Sequence, residues 1–487
     1  MSDTWMPVVV GFLLQCGPSF ALAAGRYGAT LSPAPPPGAV RVPARDGALA
    51  EAVRAHGEGV TFYLERGVHR ANGEIRPRLG SVFLGAPGAV LDGGNATARC
   101  FVHDPGLIPY SASSPRYSVT LRNLTIRNYA PAKQDCAVNA ADTGQGWSRV
   151  LEDRGDRNGW LLDHCTLERN RAGGALLGSA STARGCLAVE NGQQGFKATG
   201  RGVRFLACRS TGNNRERAFN YFEEAGGMKC WNVKDLLVDG GEYDHNGGPG
   251  LWLDYAWDGN VIRGVAFHDN LRPGVCLEMT IGAEVTGCRF ERDDLDGIAG
   301  EIPAAFRPWD RSPKSGADLW SGEIYLFDAC GSGIWRSAEG RAVQFAGKTW
   351  IHGNTMRRGN GGVVCLYQGR GGIDPLGKQM VGSQNGPAAG LAGIVVEGNS
   401  MDCSAGYSAG VNVLANRDYK DAAGSWGPIA EEEAAAQFRA PVFRNNRYSG
   451  VLRFSVPAAA LKPGGGVWEW NRRATTDLAG WRSLGKG

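Results

Sequence analysis

Short strand-like segments that end in asparagine recur along the middle of the chain, and their spacing limits the possible folds. The segments are VTLRNLTIRN, WLLDHCTLERN, ARGCLAVEN, VRFLACRSTGN, LLVDGGEYDHN and VIRGVAFHDN, which end at Asn128, Asn170, Asn191, Asn213, Asn246 and Asn270. From Asn170 onward the spacings are 21, 22, 33 and 24 residues. A period of about 20–50 residues is typical of a solenoid, in which each repeat forms one coil. Asparagine tolerates left-handed backbone conformations, so we place it at a tight bend, where stacked side chains can bond to one another.

Two sets of positions before these asparagines are mostly apolar or small, which indicates the interior of the coils. Five positions earlier lie Cys165, Cys186, Cys208, Gly241 and Val265, with Cys288 as the equivalent in the next coil. Three positions earlier lie Leu167, Ala188, Ser210, Tyr243 and Phe267, with Phe290 as the equivalent in the next coil. Positions two apart in a strand share one face. We therefore predict a buried stack of cysteines, which leaves a disulfide between coils open and provides no CxxC spacing for a metal.

Coils of 21 to 25 residues with two or three short strands each indicate a parallel β-helix. The LxxLxLxxN consensus of leucine-rich repeats and the 3.6-residue periodicity of helical repeats are both absent from the sequence. Before the coils, Asp46 to Arg54 has helical spacing, with Asp46 as the expected N-cap. A short helix at this place would cover the exposed strand edges at one end of a solenoid.

The remaining organisation is expected as follows. Residues 1–24 resemble a secretory signal that ends in Ala21-Leu22-Ala23, and 25–116 hold a Pro-rich linker, the cap and the first coils. Residues 117–455 form the repeats with loop insertions, and 456–487 form a C-terminal tail or cap. We expect a secreted, periplasmic or cell-surface protein without a membrane span, because no later apolar run approaches about 18 residues. A net charge of +4 without a basic, aromatic patch argues against nucleic acid as a partner.

Three similar hexapeptides define the candidate site. EAGGMK ends at Lys229, PGLWLD at Asp254 and PGVCLE at Glu278, with spacings of 25 and 24 residues. If each is one coil, these charges form a vertical column on one face, with coils about 4.8 Å apart. The carboxylates of Asp254 and Glu278 would then lie roughly 5–6 Å apart and divide into an acid and a base. Glu224, at the edge of the insertion RERAFNYFE, is a third carboxylate for the same face.

The column leaves three functions open. The close carboxylate pair suits hydrolysis of a glycosidic bond. Lys229 suits β-elimination of a uronic-acid polymer, in which it would remove the C5 proton. A charged ladder on a solvated sheet, without catalysis, suits a glycan-binding or surface-structural module. We expect the aromatic rings and one cation nearby to contact a polysaccharide, namely Trp252, Tyr255, Trp257 and Arg217.

No cofactor is firmly implied by the sequence, although one acidic cluster is a candidate for Ca²⁺ in a loop. It consists of Glu291, Asp293, Asp294 and Asp296. His245 and His268 lie one position out of register with each other, so a paired metal site is not expected there. Oligomeric state is not set by any of these features.

The Asn-ended coils together with EAGGMK and GPGLWLD resemble the repeats of right-handed parallel β-helix proteins of the pectin-lyase-like superfamily, in particular a bacterial exported subgroup. The resemblance covers most of residues 40–487 and implies an all-β, single-stranded right-handed solenoid with an N-terminal helical cap. Many members cleave or epimerise polysaccharides, whereas others are phage or adhesin modules without chemistry. The NTD, DD and HG set of polygalacturonases and the DPHD motif of alginate epimerases are absent, so those activities are not implied. We expect hydrolysis of a polysaccharide by Asp254 and Glu278, assisted by Lys229 and Glu224.

Overall fold

The structure is a computed structural model. The residues it describes are 27–104, 117–141, 159–216, 218–219, 224–293, 322–327, 329, 332–336, 342–357, 364–368, 393–403, 409–415, 419–420, 426–427, 441–450, 453–457 and 473–486. Within them the chain winds as a parallel β-helix, so the predicted fold class is confirmed. Each coil adds short strands to three ladders that run along the molecule.

The first two ladders belong to one 23-stranded sheet. The first ladder contains β1 (Val40–Val42), β2 (Thr61–Leu64), β4 (Ser81–Gly85), β7 (Val119–Arg122), β10 (Trp160–Asp163), β13 (Thr182–Arg184), β20 (Asn260–Arg263), β23 (Ala283–Thr286), β28 (Thr349–His352), β31 (Ile394–Glu397) and β36 (Val442–Arg444). The second contains β3 (Gly67–His69), β5 (Ala89–Asp92), β8 (Thr125–Arg127), β11 (Thr166–Glu168), β14 (Leu187–Val189), β21 (Ala266–His268), β24 (Arg289–Glu291), β29 (Thr355–Arg357), β32 (Ser400–Cys403) and β37 (Arg447–Gly450). Two longer strands, β16 (Arg204–Thr211) and β18 (Leu237–Asp244), pass through both ladders and join them.

The third ladder is a separate 12-stranded sheet. It contains β6 (Phe101–Val102), β9 (Cys136–Ala140), β12 (Gly173–Leu177), β15 (Gln194–Arg201), β17 (Gly226–Lys234), β19 (Leu251–Asp254), β22 (Val275–Glu278), β25 (Ile324–Phe327), β30 (Val364–Gln368), β33 (Ala409–Ala415), β38 (Arg453–Pro457) and the antiparallel β39 (Arg473–Thr476). Two hairpins stand outside the ladders, β26 (Ser332–Arg336) with β27 (Ala342–Ala346), and β34 (Tyr419–Lys420) with β35 (Trp426–Gly427).

The interior predicted from the sequence is confirmed. The cysteines at 165, 186, 208 and 288 are buried, as are Leu167, Ala188, Ser210, Tyr243, Phe267 and Phe290. Free, buried thiols are found at Cys100, Cys136, Cys165, Cys186, Cys208, Cys230, Cys276 and Cys288. Apolar side chains of all three ladders meet in one continuous cluster, because alternate residues of each strand point into this core.

Asparagine side chains form a buried ladder at the bend between the second and third ladders. Asn170, Asn191, Asn213, Asn246 and Asn270 are each at most 1% exposed, and each side-chain amide bonds to the next rung. The left-handed backbone that we assigned to them lies one residue earlier, for example at Glu190 (φ 54°) and His245 (φ 54°). Asn128 is itself left-handed and precedes Tyr129, which occupies the ladder position of its coil. The predicted stacking is confirmed for the five asparagines from Asn170 to Asn270, whereas the predicted left-handed backbone is right for Asn128 and wrong for these five.

A column of glycines makes room for this ladder. Equivalent positions at or just before the starts of successive strands of the third ladder are all glycine, namely Gly174, Gly195, Gly227, Gly250 and Gly274. A β-carbon on Gly227 would lie 2.8 Å from the side-chain nitrogen of Asn246 and 2.4 Å from the carbonyl oxygen of Gly250. Contacts that short are forbidden, so the repeat requires glycine at these positions as strictly as asparagine at the bend.

A second, shorter asparagine ladder lies at a different corner. Asn354, Asn399 and Asn446 continue the column that the cysteines occupy in earlier coils, and the side chain of Asn354 accepts the backbone N–H of Cys288 at 2.8 Å. The corner between the first and second ladders therefore changes from thiol packing to amide hydrogen bonding toward the C-terminus.

Helices close both ends of the described solenoid. Helix α1 (Ala48–Ala55) places Leu49 and Val53 against the first coils. Its N-cap is Gly47 in a left-handed conformation, without a side-chain hydrogen bond, so the predicted capping by Asp46 was wrong. Helix α2 (Leu478–Ser483) packs Trp481 edge-on to Phe443, and its N-cap is the side chain of Asp477. Neither of these described helices is long and apolar enough to cross a membrane.

An N-terminal strap, residues 27–33, runs along the corner between the first and second ladders. The backbone amides of Gly28, Ala29 and Leu31 donate in turn to Gly185 O at 2.7 Å, to Thr166 Oγ1 at 2.9 Å and to Asn123 Oδ1 at 2.8 Å. The partners lie on successively earlier coils, so the strap crosses the coils against the direction of winding and ties them together.

Candidate functional site

Strand register places the three predicted charges on the outer face of the third ladder, but not in one column. Lys229 pairs with Trp252, whereas Asp254 pairs with Trp231 on one side and with Glu278 on the other. The expected column was therefore wrong by two residues for Lys229 and right for the two carboxylates. Residues two apart share a face, so all three side chains still project outward together.

Lys229 is held between an acid and an aromatic ring. Its ammonium lies 2.9 Å from Asp254 Oδ2 and 3.2 Å from the centroid of the Trp252 ring, and the side chain is 2% exposed. A desolvated cation–π contact of this kind is worth about 2 kcal/mol. Lys229 thus reaches diagonally from β17 across the ring of Trp252 to the carboxylate on β19.

Asp254 is a buried acid with one unsatisfied oxygen. The residue is 9% exposed, and its Oδ1 has no hydrogen-bond partner among the described residues. Burial raises the pKa of Asp254 above its ordinary value, although the ammonium of Lys229 opposes that shift. The carboxyl therefore holds a proton more firmly than an exposed aspartate would.

Trp252 connects the ion pair to Glu278. The indole nitrogen of Trp252 donates to Glu278 Oε2 at 2.9 Å, while the face of the same ring contacts Lys229. Trp252 is only 4% exposed. Its ring therefore positions Lys229 and Glu278 on the outer face. It is not the exposed surface for sugar stacking that we predicted.

Glu224 lies on the same face and lines a cleft of about 440 Å³. Its carboxylate pairs with Lys197 at 2.7 Å, and it acts electrostatically on Asp254. Across the cleft, Arg99 bonds Asp135 at 3.2 Å, and Trp231 forms part of the wall. The cleft thus extends the site by up to four coils beyond β17 toward the N-terminus.

Lys197 was missed by the sequence reasoning, although the sequence holds a clue to it. Gly195-Phe196-Lys197 repeats the pattern of Gly227-Met228-Lys229 one coil earlier, and the two lysines are in register. Arg99, Asp135 and Trp231 share no such pattern, because two of them lie outside the strands that repeat.

Of the other residues predicted to contact a polysaccharide, two are buried to different degrees and one lies outside the described residues. Trp257 is fully buried and donates from its indole to Asn232 Oδ1 at 2.8 Å, so its prediction as a sugar contact was wrong. Tyr255 is half-buried in a left-handed turn (φ 49°) directly after Asp254. Arg217 lies outside the described residues.

The acidic cluster suggested for Ca²⁺ does not converge in the described part of the chain. Asp293 is fully buried and points into the coil, whereas Glu291 lies on the surface and bonds Arg289. Asp294 and Asp296 lie outside the described residues. The two described carboxylates face opposite sides of the strand and cannot share one cation.

Asp244, His245 and His268 bring three potential metal-ligand atoms within 4.8 Å of one another. Both oxygens of Asp244 are already taken by the guanidinium of Arg209, at 3.0 and 3.1 Å. Thr211 donates to the same carboxylate at 2.8 Å. A metal at this place would have to displace a cation that is bound in bidentate geometry.

His268 carries a positive charge that also argues against a metal. Its two ring nitrogens lie 2.8 Å from Glu242 Oε1 and 2.9 Å from Asp269 Oδ2. Burial opposes the charge, but the hydrogen bonds that the ring donates to the carboxylates of Asp269 and Glu242 outweigh it and raise the pKa of His268 to about 10. An imidazolium has no lone pair to give, so this group is a network of ion pairs that joins adjacent coils.

Comparisons with known proteins identify the fold. A family model described as the right handed beta helix region matches residues 153–301, which confirms the hand expected from the sequence. No curated protein matches this sequence.

Similar solved structures include the A-module of mannuronan C-5 epimerase AlgE6 from Azotobacter vinelandii, at 12% identity and a TM-score of 0.36, covering 83% of this chain and 93% of that one. XylC in complex with xylose is 10% identical at a TM-score of 0.42, covering 78% of this chain and 86% of that one. DFA-IIIase from Arthrobacter chlorophenolicus A6 in complex with GF2 is 14% identical at a TM-score of 0.36, covering 88% and 93%. At TM-scores below 0.5 these likenesses carry no argument about this chain, and its function has to be argued from the site.

Proposed function

We propose that the chain binds a polysaccharide along the outer face of the third ladder and hydrolyses its glycosidic bonds with Asp254 and Glu278. The observation that carries this proposal is the buried Oδ1 of Asp254, which has no partner among the described residues. Asp254 is in register with Trp231 of the adjacent strand, which lines the cleft together with Glu224. A buried polar atom without a partner is costly unless a ligand completes its hydrogen bonding.

The two carboxyl groups suit complementary roles. Burial raises the pKa of Asp254, which suits a general acid. Glu278 is paired with Asp254 across a single coil step, and neighbouring strands lie about 4.8 Å apart. A separation of about 5–5.5 Å between carboxyl groups is typical of retaining glycosidases.

The proposed reaction has two steps. Asp254 gives its proton to the glycosidic oxygen as the bond to the anomeric carbon breaks, and an oxygen of Glu278 forms a bond to that carbon. Asp254, now ionised, then removes a proton from water, and the water oxygen displaces Glu278. One water is consumed, both carboxyl groups return to their first state, and Trp252 holds Glu278 in place through its indole N–H.

The geometry gives β-elimination less support. The ammonium of Lys229 is engaged by Asp254 and by the ring of Trp252, and little of it is accessible to a substrate. A base that removes a C5 proton must reach the sugar and give up its own charge.

The test is an activity survey on neutral and acidic polysaccharides. We expect new reducing ends without ultraviolet absorbance from an unsaturated product, and a loss of at least about 100-fold in D254N and in E278Q. D239N, which removes a carboxylate from β18, is the matched control and should keep full activity.

Two outcomes would contradict hydrolysis. Ultraviolet absorbance that depends on Lys229 would mean elimination. Glycan binding that survives both D254N and E278Q, with no product of either kind, would mean a binding module.

A further inference from the structure

The asparagine ladder does not end in asparagine. In each rung, the backbone amide and the side-chain amide both donate to Oδ1 of the next rung, as Asn246 does to Asn270 at 3.2 and 2.9 Å. Asn270 donates in the same way to Oδ1 of Asp293, at 3.1 and 2.7 Å. The backbone amide of Asp293 then donates to Glu323 Oε2 at 3.3 Å. Glu323 therefore occupies the place of the next rung.

Glu323 reaches this place from the third ladder. Val275 pairs with Ile324, so Glu323 is in register with Gly274 and interrupts the glycine column. Its side chain turns into the space that the glycines leave open, and Glu323 and Asp293 are both 0% exposed. Two carboxyl groups thus meet in the interior, where the earlier rungs are neutral amides.

The second oxygen of Asp293 stands where the other rungs have a hydrogen-bond donor. The side-chain nitrogen of Asn270 donates both to Tyr243 O at 2.8 Å and to the next rung. Among the described residues, no donor lies within hydrogen-bond distance of Oδ2 of Asp293. A β-carbon on Gly274 would come within 2.5 Å of it, so Oδ2 is closely enclosed. Two enclosed carboxylates would repel each other, and one proton would remove a charge and supply the missing donor.

We infer that Asp293 and Glu323 share one proton in the folded protein, and that this proton makes the stability of the solenoid depend on pH. Among the described residues, the other charged groups in this part of the coil include His268 on β21, the exposed Arg292 next to Asp293, and the buried Arg272 in the turn before Gly274. Burial raises the pKa of Asp293 to about 7, against the opposing effects of Glu323, Asn270 and His268. The two carboxyl groups titrate as a pair, so that value belongs to the pair. The inference is independent of the proposed hydrolysis.

The direction of the pH dependence follows from the raised pKa. The unfolded chain releases the proton near the ordinary value of 3.8, and the folded chain releases it near 7. The stabilisation is therefore fully present below about pH 3.8 and is lost as the pH rises through about 7. Above that range the pair adds no further slope, because both states are then ionised.

The test compares thermal unfolding of the wild type and D293N between about pH 4 and pH 9. The amide introduced by D293N would continue the ladder with a neutral donor. The thermal midpoint of this variant, relative to that of the wild type, should therefore rise by several degrees as the pH rises to about 7 and then stay constant. E58Q removes an exposed carboxylate in the turn after α1 and should show no such gain.

Infrared spectroscopy gives a second readout. At pH 6, where exposed carboxyl groups are ionised, the C=O stretch of buried carboxylic acids should be weaker in D293N than in the wild type, since a protonated Asp254 would contribute to the band in both proteins. Parallel pH curves for the two proteins, a D293N variant that is less stable at every pH, or a band of equal intensity in both proteins would each overturn the inference.

Discussion

The side chain of a single asparagine in the ladder links polar groups of three coils. The side-chain nitrogen of Asn213 donates to Ala188 O, to Ser210 Oγ and to Asn246 Oδ1, at 3.3, 3.0 and 3.0 Å. Its Oδ1 accepts the backbone and side-chain amides of Asn191, both at 3.0 Å. All of these groups are shielded from water, so each depends on the side chain for its partner.

Removing one such amide should therefore destabilise the protein strongly. Asn213→Ala leaves several buried donors and acceptors unpaired, and each costs about 1–3 kcal/mol. We expect the free energy of unfolding to fall by about 3 kcal/mol or more in denaturant titrations. Thr125→Ala on the half-buried outer side of β8 serves as the control and should change it little. A loss in N213A no larger than in T125A would mean that the ladder adds no stability.

At this scale the sequence predicted the stacked amides but not the bend itself. The left-handed residues before the ladder are Arg169, Glu190, Gly212, His245 and Asp269. These five residues share no chemical property that predicts a left-handed conformation. The bend is stabilised instead by the ladder residue that follows each of them. The backbone role was therefore assigned to asparagine, the residue type that usually indicates it.

Strands of the third ladder are aligned by glycine and not by charge. Gly227, Gly250 and Gly274 are in register, and each is followed by an inward apolar residue. The hexapeptides EAGGMK and PGLWLD were matched on their charged last residues, which shifted Lys229 by two positions. Alignment on the glycines would have given the observed register and would also have revealed Lys197.

Adding one methyl group to this column should be costly. In Gly227→Ala the new β-carbon would lie 2.4 Å from the backbone of Gly250, which cannot move without disturbing the adjacent strand. Overpacking of this kind costs about 1–3 kcal/mol, and more where backbone has to shift. Gly57→Ala is the matched control, since a β-carbon there meets nothing within 4 Å. Equal thermal midpoints for the two variants would contradict the steric role of the column.

Across the whole molecule, most contacts join only neighbouring coils, as is usual for a solenoid. The fold class was predictable because the repeat is local and visible as a period. The strap could not be predicted, because it donates its hydrogen bonds through backbone amides, which leave no pattern of side chains in the sequence. The cleft was equally hidden, since Arg99 and Lys197 come together only through the winding of the chain.

The strap should make unfolding more cooperative. Deleting residues 27–31 removes the bonds that link Gly185, Thr166 and Asn123 across several coils. We expect a lower thermal midpoint and a broader transition by circular dichroism, together with earlier proteolysis of the first coils. Replacing the exposed residues 34–37 with a Gly/Ser segment of equal length is the control and should leave the transition sharp. An unchanged transition in the deletion would show that the strap is not a brace.

The strap also sets an order of events in time. It leaves the ribosome before any of the coils that it binds, and Thr166, which accepts the amide of Ala29, is synthesised 137 residues later. At about 5–20 residues per second that interval lasts on the order of ten seconds. Until these coils have been synthesised, the strap therefore has no partner on them. Its docking requires that the coils as far as Gly185 have already formed.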